Sequence, residues 1–214
     1  MIALLITILS PALTKVRETS SRVVCASNLR QHGLGLQMYA DDWRGLLPPS
    51  AFLRSGGDGP AEMMTLRLAP DERIRITRDG WDGLGILYRA EYLPTPGVFY
   101  CPSHHGDHPF EVYERQWLGT PGEIVGNYHF RGQDSDGRRT LYNMHAETAL
   151  GADGMRTQED YNHNIGINVL RAGLHVAWLD DGNQTLRMML PDSDADPDGS
   201  VVDRAWDFLD RPQP

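Results

Sequence analysis

Cysteine is scarce in this 214-residue chain, with two in all. Two thiols exclude a disulfide scaffold and a four-cysteine zinc site, and leave either one bridge or two free groups. Basic charge is also short. Lys and Arg number 20 against 29 Asp and Glu, a net charge of −9 with His neutral. Such a balance argues against nucleic-acid binding, which needs a basic surface to meet phosphates. No apolar run reaches the ~20 residues of a membrane span; the one at the chain start, Met1 to Leu13, covers about 13. No basic segment precedes that run and no clear small-residue cleavage site follows it, so it is not an ordinary secretory signal. There is no Gly-rich phosphate loop in a strand-to-helix setting and no nucleophile elbow.

What the chain does have is turn chemistry and a core. Gly (22) and Pro (14) are plentiful, which predicts many turns and short strands. Hydrophobic residues make up 40%, enough for a packed interior. From Thr14 to about Ala40, apolar residues at Val16, Val23, Val24, Leu29, Leu34, Leu36 and Met38 recur at helical spacings. Pro48-Pro49 forbids continuation, and Pro11 should kink the axis upstream. Beyond Pro49 the spacing predicts a loop at Ser55–Pro60 and short helices at Glu62–Leu68 and near Trp81–Tyr88. A strand-like apolar run follows at Val98–Cys101, and strands at Ile124–Phe130, Thr140–Met144 and Thr148–Gly151. Asn168–Leu170 and His175–Leu179 read as a hairpin linked at Ala172-Gly173, and Asp203–Leu209 as a final helical turn. The expected fold is α+β: a long N-terminal helix (1–40), then an irregular head (41–214) with a small antiparallel sheet. The lack of βα alternation argues against a doubly wound parallel sheet.

Ile2–Arg17 resembles the second half of a type IV prepilin helix. Cys25, Asn28, Leu29, Arg30 and Gln31 match the Cys-x-x-Asn-Leu-Arg-Gln segment of a large bacterial pseudopilin-like family, often labelled as type II secretion pseudopilins. Trp81–Tyr88, Tyr92-Leu-Pro94 and Val98–Ser103 follow the family's order. His163, Asn168, Val169, Leu170, Ala172, His175 and Val176 fit its His-x9-Asp-Gly region. Two departures stand out. The Gly-Phe-Thr-Leu-x-Glu processing site is missing, so the chain is expected to be truncated relative to the family. Gly173-Leu174 replaces Asp-Gly, and Gly173 is expected to take a left-handed turn conformation. The resemblance implies a non-enzymatic subunit held in the inner membrane by its helix, with the head on the periplasmic side. It implies other pilin-like subunits as partners through that helix, and neither a cofactor nor a small-molecule substrate.

Three features carry chemistry of their own. Cys25 and Cys101 either form a bridge between helix and head, closing a loop worth ~4 kcal/mol, or remain two buried thiols. Cys101, His104 and His108 have spacings that suit a zinc site, or they lie in a polar surface loop. With His163 and His175 they define an alternative reading, a metal-dependent hydrolase; a soluble extracytoplasmic binding module is the other. Asp194, Asp196 and Asp198, with Asp203 beyond a Gly turn, place alternate carboxylates as calcium loops do, or form a solvated acidic turn.

Overall fold

The computed structural model of the chain describes residues 2–51, 63–70, 80–192 and 199–211. Helix α1 (Ile2–Asp42) runs unbroken through Pro11. It ends where Arg44 and Gly45 take left-handed conformations, φ 57° and 83°. There the Gly45 N–H reaches back to the Ala40 carbonyl at 2.7 Å, a stop that glycine makes cheap. The two halves of α1 differ. Residues 13–24 are mostly exposed. From Cys25 onward Cys25, Asn28, Leu29, His32, Leu36, Tyr39 and Ala40 are buried at steps of three and four, one continuous face.

That face lies on a four-stranded antiparallel sheet in chain order. Its strands are β3 (Tyr128–Phe130), β4 (Ala149–Asp153), β5 (Gly166–Arg171) and β6 (Val176–Asp180). A second, two-stranded sheet pairs β1 (Thr65–Arg67) with β2 (Ile124–Val125). Short helices α2 (Gly85–Arg89) and α3 (Phe110–Trp117) flank it. The last helix, α4 (Gly199–Asp210), covers the far side of the large sheet. Two cores result, with Leu29, Leu36, Phe99, Trp117, Tyr128 and Leu170 on the α1 side. Ile167, Val169, Leu179, Val202, Trp206 and Leu209 fill the α4 side. A sheet covered on both faces buries every residue of β4 and β5.

The architecture is α+β with small antiparallel sheets. Five local expectations fail, four of them for tertiary reasons. Thr65–Arg67, expected in a helix, is a strand because Thr65 and Arg67 pair with Val125 and Ile124. In Val98–Cys101 the first two residues belong to a 3-10 turn, Pro96–Phe99, and Tyr100 is extended. Leu141–Asn143 is a second such turn, with only Thr140 bridging Leu46. Ile124–Phe130 divides at Gly126-Asn127 between the two sheets. The Gly126 N–H donates to Met64 (3.0 Å) and the Asn127 N–H to Phe99 (2.9 Å). In the β5–β6 hairpin, Leu174 rather than Gly173 is left-handed, at φ 62°. The loop is a turn closed by Leu174 N–H to the Arg171 carbonyl at 2.9 Å, and the last residue of that turn carries the positive φ. Ser55–Pro60 lies outside the described residues.

Candidate functional site

The polar interior is concentrated where α1 crosses the sheet. Asn28 donates through Nδ2 to the Tyr100 carbonyl and the Tyr128 hydroxyl, both at 3.1 Å. One turn on, the His32 ring lies between Phe99 (5.3 Å, stacked) and Tyr128 (5.0 Å, edge-on). Its Nε2 bonds the Val98 carbonyl at 3.0 Å. Burial pushes this imidazole down to about 4, against the weaker pull of that carbonyl. Asn28 and His32 thus satisfy backbone groups of the irregular 96–101 segment, which no strand partner satisfies.

One turn before Asn28, Cys25 is joined by a disulfide to Cys101, with Cα atoms 5.5 Å apart. His163 packs against the bridge, its Nε2 lying 3.8 Å from Cys101 Sγ. Nδ1 of the same ring meets Glu18 Oε1 at 2.7 Å, and Nε2 lies 3.5 Å from Asp153 Oδ2. Glu18 also accepts from the Ser103 hydroxyl at 2.9 Å. Asp153 Oδ2 accepts from the Asn168 backbone N–H (2.7 Å) and side-chain amide (2.9 Å). Burial raises the Asp153 carboxyl to about 6, opposed by His163 and the Asn168 bonds and reinforced by Glu18. Nearby, the Arg22 guanidinium lies 3.4 Å over the Trp178 ring.

The 101–108 loop exposes Pro102, His105 and Asp107, but it is pinned from within. The Asn127 side chain clamps it, accepting from the Cys101 N–H (3.2 Å) and donating to the His108 carbonyl (2.8 Å). The His104 side chain is buried, with Nδ1 2.8 Å from Asn162 Oδ1 and Nε2 accepting from the His108 N–H at 3.4 Å. Desolvation lowers its pKa. His108 instead meets Tyr113 (2.6 Å) and Arg156 (2.9 Å). Cys101, His104 and His108 therefore do not converge, and the Cys101 sulfur is already bonded. Among the described residues, the one group of His, Cys, Asp and Glu with ligand atoms within 4.8 Å of one another is Cys25, Cys101 and His163.

Of the other residues singled out in the sequence, Asn28 and Asn168 belong to this cluster. Arg30 is exposed and Gln31 half-buried on α1. Gly173 and His175 lie exposed at the hairpin, with His175 3.6 Å from the Glu147 carboxylate. Asp203 is exposed on α4, and Asp194, Asp196 and Asp198 lie outside the described residues. Sequence reasoning missed Glu18, His32, Ser103 and Asp153, which reach the cluster from separate segments. The one available signal was polar Asn28 and His32, four apart on an otherwise apolar helix face.

Chemically, the cluster does not form a nucleophile relay. In Ser103–Glu18–His163 the carboxylate stands between hydroxyl and ring, whereas a relay needs the ring between them. What it does is order α1 against the loop at Ser103 and the segment at His163. No protein-family model, curated protein or solved structure matches the chain.

Proposed function

We propose that the chain is a non-enzymatic, pseudopilin-like assembly subunit, with α1 as the packing spine and the head on the extracytoplasmic side of the inner membrane. The observation that carries this reading is the arm of α1. Residues 13–24 touch the head through Glu18 and Arg22 but leave an apolar face in water, with Leu13, Val16 and Val23 each more than 60% exposed. Helical apolar positions left in water argue for a partner surface. The same helix is locked to the head by the disulfide, by Asn28 and His32, and by Glu18, so force or contact at the arm is passed to the body. The apolar run at the chain start continues the helix outward, toward the membrane in this reading. No helix among the described residues is long and apolar enough to cross a membrane. Partners are other pilin-like subunits packing arm to arm.

Val16→Cys tests this in cells. The expected result is membrane-fraction protein captured as dimers and higher ladders by a short thiol cross-linker, while Arg30→Cys on the head portion gives none. Monomer released quantitatively by carbonate wash, with Val16→Cys uncross-linked, would sink the proposal.

A further inference from the structure

The group formed by Cys25, Cys101 and His163 is organised beyond what a disulfide needs. A tetrahedral zinc site with sulfur at ~2.3 Å and nitrogen at ~2.0 Å separates neighbouring ligand atoms by about 3.5 Å. Here His163 Nε2 lies 3.8 Å from Cys101 Sγ, and all three ligand atoms fall within 4.8 Å of one another. The residues are buried, Cys25 at 0%, His163 at 1% and Cys101 at 5% exposure. Nδ1, the ring nitrogen pointing away from the sulfurs, is held by the Glu18 carboxylate at 2.7 Å. That carboxylate–imidazole pairing fixes ring orientation and leaves Nε2 free to coordinate, which is how metal-binding histidines are supported. Asp153, 1% exposed, stands 3.5 Å from the same Nε2. Its Oδ1 has no hydrogen-bond partner among the described residues, an unusual state for a buried carboxylate oxygen. Cys101 lines a surface cavity of about 530 Å³ with Asn28, Tyr100, His104 and Asn127.

We propose that Cys25, Cys101 and His163 form a redox-gated site for a thiophilic divalent metal such as zinc. Glu18 is the positioning residue, and the fourth coordination place is open toward Asp153. In the oxidised chain the sulfurs are bonded to each other and the site is closed. A dithiol reductant opens it: the S–S bond takes two electrons and two protons, and the reductant leaves as its own disulfide. Metal binding then releases the two thiol protons as the Cys25 and Cys101 thiolates ligate. With Cα atoms 5.5 Å apart, side-chain rotation is enough to open the sulfurs to ligand spacing. The inference does not depend on the assembly reading, since it concerns only the junction between α1 and the head.

The test uses the full chain, reduced and held without oxygen, titrated with Co²⁺ as a spectroscopic stand-in for zinc. The expected result is one equivalent bound, a sulfur-to-cobalt charge-transfer band, tetrahedral d–d bands, and displacement by Zn²⁺. The oxidised chain should bind none. His163→Gln should abolish the tetrahedral spectrum while leaving the oxidised fold intact by circular dichroism. Glu18→Gln should weaken binding about tenfold with both thiols still present, a change a merely structural role would not produce. If reduction unfolds the chain, one equivalent of metal must refold it. Substoichiometric binding, a reduced chain that metal does not refold, or a spectrum indifferent to His163→Gln would each overturn the proposal.

Discussion

Asp82 and Asp153 are pushed up to about 6 by burial, while His32 is pushed down to about 4 and His104 also falls. These shifts act on stability with opposite signs. A carboxyl raised from 3.8 contributes stability that is full at low pH and is lost as pH climbs through 6. An imidazole lowered from 6.5 contributes stability that is full at neutral pH and is lost as pH falls through 4. Over the same window the two effects offset each other, so the wild-type profile should be shallow. Asp153→Asn removes one side of the balance. Its unfolding free energy, read from urea melts, should gain on the wild type by roughly 3 kcal/mol between about pH 4 and 6. Parallel wild-type and variant curves would show that the Asp153 carboxyl does not titrate there.

Among the elements, α2 sits so close to β1 that a Cβ on Gly85 would overlap the Leu66 carbonyl and crowd the backbone behind it. Neither side can yield, because Leu66 is itself tied by its carbonyl to the Asp82 N–H at 2.9 Å. Gly85→Ala should therefore destabilise by ~3 kcal/mol or more, despite the better helix propensity of alanine. A thermal melt within a degree of wild type would refute that packing account. The same neighbourhood explains what the sequence concealed. The β5–β6 hairpin was legible because apolar runs flank a short link, and α1 was legible from its spacing. The β1–β2 pair was not, since its two- and three-residue strands exist only by pairing across distant chain. Ile124–Phe130 is strand-like at both ends, but Gly126 lies against the Phe99 carbonyl, where a Cβ would come within 3.0 Å. That contact between remote backbones divides the run. The cluster was half legible: His163 and both cysteines stood out, whereas Glu18 and Asp153 are ordinary carboxylates until the fold brings them to one ring.

At the scale of the whole molecule, the head hangs on α1 through one covalent tie and a set of buried polar bonds. Replacing both partners, Cys25→Ser with Cys101→Ser, should lower the unfolding free energy by ~4 kcal/mol, the loop-closure contribution for this separation. A loss below about 1 kcal/mol in denaturant titration would mean that the polar bonds alone hold the helix in place. The tie also sets how the molecule behaves under tension. A pull on the N-terminal end of α1 reaches Cys25, crosses to Cys101, and continues toward β2, so the 76-residue separation between them is mechanically short-circuited. At ~3.6 Å per extended residue, the bridge withholds about 270 Å of contour from a stretched chain. The small sheet's β1 strand, α2 and the Phe99 segment lie inside that sheltered ring, while the four-stranded sheet lies outside it and takes the load.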